Sequence, residues 1–167
     1  MHQPWFMDEM RFGTRTVIGR RWTSKGHRPD CLMKYGYKYQ YLYQATQPSS
    51  GRTFECFLPN MSGECFRLFL EAFIKEHPGQ MMVVDNAGSH HVNLPQPLVQ
   101  KVSVEYLPAY SPDYNPQERM FQEIKKPLKG EVFYEVAAIE KVIEHMLKEK
   151  VSRAETVKKL TAWHWIV

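Results

Sequence analysis

Apolar and polar residues alternate with period two in the first third of the chain, a spacing that predicts β-strands. The predicted strands cover residues 5–12, 35–45 and 53–58. In the first of them, Phe6, Asp8 and Met10 share one face, because side chains two positions apart point to the same side of a strand. In the second, tyrosine recurs at every other position from Tyr35 to Tyr43. The pattern predicts an antiparallel meander with an acid on an otherwise apolar face.

Helical spacing replaces this alternation further along the chain. Ser62 is a predicted N-cap of a helix that ends near residues 77–79, and further helices are predicted over 116–126 and 137–147. Between them, the apolar run 81–84 ends in Asp85, as in a buried parallel strand whose carboxyl end opens into a site. A companion strand is predicted over 102–107. This order predicts an α/β fold with a mixed five-stranded sheet flanked by helices, in one domain over residues 1–167.

Composition narrows the class of protein. An apolar content of 43% supports a globular domain, and no apolar run approaches the roughly 20 residues that cross a bilayer. With no signal-peptide pattern at the start, we expect a cytoplasmic protein without a membrane partner. Cys31, Cys56 and Cys65 are odd in number and form no CxxC pair, so they are predicted to be reduced structural thiols.

The net charge of +4 is compatible with a polyanionic partner such as DNA. Basic residues gather at Arg11, Arg15, Arg20, Arg21, Lys25 and Arg28, within or next to a predicted turn or ribbon over 13–29, and again at Lys125, Lys126 and Lys129. The candidate DNA-binding residues are Arg11, Lys25, Arg28, Lys125 and Lys126. A solvated surface is the alternative for each cluster.

Three acids carry the candidate chemistry. Asp8 lies in a strand, Asp85 at a strand end and Glu118 in the first turn of a helix, and these elements would be neighbours in the predicted sheet. Phosphoryl transfer with two metal ions needs hard oxygen ligands that hold the ions about 3.5 to 4 Å apart. Three converging carboxylates can supply such ligands.

Each acid also has a structural alternative. Asp8 could pair with a nearby arginine at a strand edge. Asp85 could begin a turn with Asn86. Glu118 could complete a capping box in which Asn115 is the N-cap and Pro116 the first helical residue.

Two segments resemble the signatures of a known family. Residues 85–90 (DNAGSH) and 107–118 (LPAYSPDYNPQE) resemble the DNxxxH and LPxYSPxxNPxE signatures of the bacterial insertion-sequence branch of mariner-like DDE transposases. Asp8 and Glu9 are similar to the family's first acidic pair, and residues 22–29 to its WxxxGxxP segment. The resemblance covers nearly the whole chain. It departs at Gln117, where isoleucine is usual, and at Phe121, where tryptophan is common.

The resemblance implies a ribonuclease H-like fold and a catalytic, metal-binding triad of Asp8, Asp85 and Glu118 that holds two Mg²⁺ or Mn²⁺ ions. Asn86 and His90 would be accessory residues near the scissile phosphate. Glu9 is an alternative first ligand, although strand alternation favours Asp8. A structural imidazole is an equal alternative for His90, and we interpret His91 as a surface residue.

The family's activity would be cleavage of double-stranded DNA at transposon ends, followed by attack of the freed 3′ hydroxyl on target DNA. We expect a homodimer on DNA, associated with the nucleoid. Family members carry a helix-turn-helix region ahead of the first acidic strand; we expect this chain to lack that region, and a separately encoded helix-turn-helix protein could supply it. Tyr110 and Ser111 are interpreted as loop architecture. The alternatives are another ribonuclease H-like nuclease, such as a ribonuclease or junction resolvase, and an inactive relic that only binds DNA or a partner.

Overall fold

The computed structural model describes residues 3–20, 22–109 and 111–166. Arg21 and Tyr110, which the sequence analysis named, lie outside these residues. The strands are β1 (Trp5–Gly13), β2 (Tyr39–Gln47), β3 (Arg52–Leu58), β4 (Gln80–Val84) and β5 (Val102–Tyr106). The helices are α1 (Gly63–Glu76), α2 (Gln96–Val99), α3 (Gln117–Lys125), α4 (Val136–Met146) and α5 (Ala154–Thr161).

The strands form one five-stranded sheet in the order β3-β2-β1-β4-β5. The pairs β1–β2 and β2–β3 are antiparallel, whereas β1–β4 and β4–β5 are parallel. The predicted mixed five-stranded sheet is therefore confirmed, and its order is that of the ribonuclease H-like fold. Strand β1 lies at the centre, where the antiparallel and parallel halves meet.

Side-chain alternation along β1 divides the core into two layers. Trp5 and Met7 pack in the cluster that contains the α1 face, whereas Met10 and Phe12 pack with residues of α3 and α4. The α1 layer is rich in aromatic rings, and Trp5 meets the ring of Phe73 edge to face at 5.1 Å. Asp8 belongs to the Met10 face and so points toward α3.

The tyrosine alternation continues beyond the sheet. The strand predicted from Tyr35 begins only at Tyr39, and Tyr35 and Tyr37 are exposed. Residues 34–38 instead meet residues 14–16 through two backbone hydrogen bonds, Thr14 N to Lys38 O and Thr16 N to Lys34 O, both 3.0 Å. The pair makes a short ribbon at the base of the predicted turn segment, whose residues 22–30 are exposed and irregular.

Helices α2 and α5 are not predicted from the sequence. Helix α2 has four residues, too few to show a period, and α5 buries only Val157 and Thr161. In the described part of the chain, no helix is both long and apolar enough to cross a membrane. The three cysteines are free.

Candidate active site

The three predicted acids line one cavity of about 580 Å³ at the carboxyl ends of the parallel strands. Asp8 lies within β1, Asp85 directly follows β4, and Glu118 is the second residue of α3. The remaining lining residues are Asn86, Ala87, Leu107, Pro108, Ala109, Ser111, Pro112 and Asn115. The fold thus brings together acids that are far apart in the sequence.

The cavity is open rather than closed around an ion. Among the described residues, no three His, Cys, Asp or Glu side chains are near enough to one another to form a ready metal site. The three carboxylates line one cavity, and the negative charges of Asp85 and Glu118 repel that of Asp8. They would have to move closer together to bind one ion.

Asp8 is held by two hydrogen bonds. Its Oδ1 accepts from the backbone N–H of Glu9 at 2.8 Å, and its Oδ2 accepts from Nδ2 of Asn115 at 3.4 Å. Burial raises the pKa of Asp8 to about 7, and the negative charges of Glu9, Asp85 and Glu118 add to this effect against the lowering influence of the Glu9 N–H. Of the ion pairs formed by described residues, none joins Asp8 to an arginine.

Asp85 is half exposed, and one of its two carboxylate oxygens is occupied. Oδ1 accepts from Nδ1 of His90 at 2.7 Å and from the backbone N–H of Ala87 at 3.1 Å. The bond from His90, and to a smaller degree that from Ala87, lowers the pKa of Asp85 despite its partial burial. The bond to Ala87 is the start of a turn, so Asp85 has the predicted turn role and also lines the cavity.

His90 does not line the cavity. It is 1% exposed and its ring packs on Phe66 with centroids 4.7 Å apart. Its Nδ1 meets Asp85, and its Nε2 donates to Oε1 of Glu9 at 2.9 Å. Burial alone would lower the pKa of His90, but the hydrogen bonds to the two carboxylates outweigh it and raise the pKa to about 10. His90 is therefore a cation that reaches the cavity only through Asp85.

Asn86 does line the cavity, and its neighbour His91 is more than an isolated surface residue. Nε2 of His91 forms a hydrogen bond with Oδ1 of Asn86, and the exposed His91 ring stacks on Tyr106 with centroids 4.5 Å apart. These contacts orient the Asn86 side chain at the rim of the cavity.

The capping box that is the structural alternative for Glu118 does not form in full. Helix α3 begins at Gln117, whose backbone N–H donates to Oδ1 of Asn115 at 3.1 Å. The backbone N–H of Asn115, which Glu118 would have to bond, donates to Pro112 O at 2.9 Å instead. The Glu118 side chain is consequently left at the cavity, and Asn115 ties the helix start to β1 by bonding Met7 O at 3.3 Å as well as Asp8.

Gln117 replaces the family's usual isoleucine with a buried polar pair. Its Nε2 donates to the side chain of Gln44, the residue opposite Asp8 on β2. Nε2 of Gln44 then donates to Glu55 at 3.2 Å, and Ser152 donates to the same Glu55 oxygen at 2.7 Å. Phe121, the second departure, is 2% exposed and fills the core under α3.

The predicted DNA-binding residues occupy different places. Arg11 and Lys125 line a second cavity of about 250 Å³ together with Arg15. Lys125 therefore does not join Glu118 at the first cavity, although helical spacing predicts nearly the same face. Lys126 pairs with Glu123 at 2.5 Å. Lys25 and Arg28 are exposed in the irregular segment 22–30 and line neither of these two cavities.

A mixed sheet of this order, with an acid-lined cavity where its central strands end, defines a ribonuclease H-like domain. A family model described as "DDE superfamily endonuclease" matches residues 3–140, and the chain belongs to this family. None of the curated proteins compared with the chain matches it.

Several solved transposase structures are similar to the chain. They include the "Mos1 transposase paired-end complex with left transposon end", with 15% identity and a TM-score of 0.72. A second is the "Mos1 mariner paired end complex with Mn", with 16% identity and a TM-score of 0.72. Each alignment covers 96% of this chain and 52% of the other, so the chain spans about half the length of the proteins it matches. At this identity the similarity shows the fold; the bacterial insertion-sequence branch stays a prediction.

Proposed function

We propose that this chain is the catalytic domain of a DNA transposase, in which Asp8, Asp85 and Glu118 hold two divalent metal ions to cleave DNA at transposon ends and to transfer the freed strand. One observation carries the proposal. In a DDE superfamily endonuclease, three acids from distant segments line a single cavity at the carboxyl ends of the central strands. Active sites of open α/β sheets lie at this edge.

The residues of the cavity fit a divalent ion. Asp8 is buried beside like charges, which raises its pKa, and a cation would relieve this repulsion. Carboxylate oxygens are the ligands that Mg²⁺ and Mn²⁺ prefer. Similar structures were crystallised as Mos1 complexes with Mn and with Mg. When bound, the ions would activate the attacking oxygen and stabilise the leaving oxygen of an in-line displacement.

The chain's own residues would prepare the site for that reaction. Asn115 and the Glu9 N–H hold the Asp8 carboxylate in the cavity, and His90 holds that of Asp85. Glu118 has no such restraint among the described residues, so it is the acid most free to move toward an ion. Asn86, at the rim, is placed to donate a hydrogen bond to a phosphate oxygen.

The second cavity supports a path for the DNA backbone. Lys125 follows Glu118 by seven residues, about 10 Å along a helix, and Arg11 follows Asp8 by three residues, about 10 Å along a strand. The backbone positions of the two residues are thus displaced from those of the acids, along their elements, by about three nucleotide steps of 3.4 Å. Arg11, Arg15 and Lys125 would contact phosphates there, with Lys25, Arg28 and Lys126 as outer contacts. DNA-complexed neighbours are consistent with a double-stranded DNA partner.

The wider assembly follows from the same proposal. Two transposon ends have to be paired, so the domain would act as a homodimer, with a helix-turn-helix region or a separate helix-turn-helix protein to read the end sequence. Such a protein would work in the cytoplasm at the nucleoid.

The deciding experiment compares cleavage of a labelled transposon-end duplex in Mg²⁺ or Mn²⁺ by the wild-type chain, Glu118→Gln and Glu123→Gln. Glu123 is on the same helix but pairs with Lys126, so its variant is the matched control. We expect the Glu118 variant to lose cleavage and the Glu123 variant to keep it. Cleavage of any duplex regardless of its end sequence, even when a helix-turn-helix protein is supplied to read that sequence, would instead favour a general ribonuclease H-like nuclease. A wild-type chain that binds the duplex without cutting it, even when supplied with a helix-turn-helix protein, would favour a relic.

A further inference from the structure

Glu9 is a buried carboxylate on the side of β1 opposite the catalytic cavity. Its side chain is 1% exposed and accepts a hydrogen bond from Nε2 of His90 at 2.9 Å. A buried charge is costly unless it is paired and hydrogen-bonded. His90 supplies the partner, and the same imidazole reaches Asp85 with its other nitrogen.

The three side chains form a continuous chain of hydrogen bonds. Nδ1 of His90 donates to Oδ1 of Asp85 at 2.7 Å and also lies 3.1 Å from the backbone oxygen of Asp85. Both ring nitrogens face carboxylate oxygens, which only accept hydrogen bonds, so both must carry hydrogen. Because Ala87 N–H also bonds Oδ1, the ring and the turn together leave Oδ2 of Asp85 as the oxygen available to the cavity.

This chain of bonds begins where the backbone pairing of the two strands ends. Strand β1 pairs with β4 only at Trp5–Met82 and Phe6–Val83. The acids Asp8 and Asp85 come two residues after that last pair, where no backbone bond of the described sheet joins the strands. Glu9, next to Asp8, is instead connected to Asp85 through His90.

We propose that Glu9 is a positioning residue, which acts through His90 to fix the orientation of the Asp85 carboxylate and its separation from Asp8. This inference rests on the proposed function, since it gives Glu9 a purpose only if the acids bind a metal ion. Residues that bond to metal ligands, as His90 bonds Asp85, commonly change metal affinity 10- to 100-fold when they are altered, and Glu9 would act by holding His90 in place. Glu9 is then neither a first ligand nor a purely structural residue.

Two conservative variants of Glu9 test separately the reach of its side chain to His90 and its negative charge. Glu9→Asp keeps the charge but is one methylene shorter, so it cannot reach His90 from the same backbone. Glu9→Gln keeps the length and a hydrogen-bonding oxygen but loses the charge. A positioning role predicts that Glu9→Asp is the more harmful of the two. The matched controls are Glu55→Asp and Glu55→Gln, because Glu55 is also a sheet glutamate that accepts two side-chain hydrogen bonds.

The measurement is Mn²⁺ affinity of the full chain, followed by the electron paramagnetic resonance signal of free Mn²⁺, with the folded fraction checked by circular dichroism. We expect Glu9→Asp to weaken Mn²⁺ binding by about tenfold or more, and Glu9→Gln and both Glu55 variants to stay within about threefold of wild type. The variant Asp85→Asn tests whether the acids of the cavity bind Mn²⁺.

The outcomes separate a failure of the positioning role of Glu9 from a failure of the proposed function. If Asp85→Asn weakens Mn²⁺ binding but Glu9→Asp behaves like the Glu55 variants, or if Glu9→Gln is as harmful as Glu9→Asp, the positioning role is overturned and the proposed function stands. If Asp85→Asn binds Mn²⁺ as well as wild type, the acids are not a metal site and both proposals fail.

Discussion

Nδ2 of Asn115 lies 3.4 Å from Oδ2 of Asp8, although 107 positions separate the two residues. The same amide group bonds Met7 O, and its oxygen caps the first turn of α3 through Gln117 N–H. One buried side chain therefore joins the strand that carries one acid to the helix that carries another. The distance between Asp8 and Glu118 depends on this residue.

Asn115→Ala should lower both stability and Mn²⁺ affinity. The variant loses the helix cap and leaves Met7 O without its side-chain donor, so we expect a loss of about 1 to 3 kcal/mol in the free energy of unfolding. Urea denaturation measures this, with the exposed Asn93→Ala as control. An Asn115→Ala chain as stable as the control would mean that the amide does not join the two elements.

The stability of the metal-free protein should depend on Asp8 between about pH 4 and pH 7. The pKa of Asp8 is raised from 3.8 to about 7 in the folded chain, so in this window the native state keeps a proton that the unfolded state has lost. The free energy of unfolding must then fall as the pH rises. The neutral variant Asp8→Asn lacks this effect. As the pH rises through the window, its free energy of unfolding should increase relative to that of wild type by at most about 4 kcal/mol.

Urea denaturation at pH 4.5 and pH 7.5 tests the sign, with Asp113→Asn as an exposed control. The raised pKa of His90 adds a decline in stability that begins at about pH 6.5 and is complete near pH 10, but wild type and Asp8→Asn share this decline, so it cancels in the difference between them. Mn²⁺ at pH 7.5 should stabilise wild type but not Asp8→Asn. A difference between the variants that is equal at both pH values would contradict the raised pKa.

Lys125→Ala should reduce the salt dependence of DNA binding. If Lys125 contacts a phosphate, its removal lowers the slope of log K against log salt by about one unit. Fluorescence anisotropy of a labelled duplex at several salt concentrations gives the slope. Lys141→Ala, an exposed lysine on α4, is the control and should leave it unchanged. Equal slopes for the two variants would remove Lys125 from the DNA path.

Strand alternation predicts that Asp8 and Glu9 point to opposite faces of β1, and in the structure Asp8 lines the cavity whereas Glu9 bonds His90. The period of two assigns Asp8 to the Met10 face and Glu9 to the Met7 face, and the core clusters divide in the same way. The sequence around Glu118 fits a capping box, but only half of it forms. Gln117 N–H donates to the Asn115 side chain, whereas the Asn115 N–H that Glu118 would bond donates to Pro112 O instead.

Other features had no sequence signal. Nothing in the local pattern indicates that Gln117 contacts Gln44. The two residues are 73 positions apart, on a helix and a strand, and the periodicity within each element does not show which residues of another element it contacts. The tyrosine alternation does not report where β2 begins, because Tyr35 and Tyr37 alternate in the same way on a ribbon that has left the sheet.

Sequence alone determined the α/β class, the order of the five strands along the chain, the two acid-bearing motifs and the face on which Asp8 lies, because these follow from local periodicity and from residue types at short range. The packing of the fold establishes two further features: Glu9, His90 and Asp85 form one chain of hydrogen bonds, and Lys125 lies in a different cavity from Glu118. Those contacts depend on how strands and helices pack in three dimensions, and the spacing of residues along one element carries no information about the element opposite it.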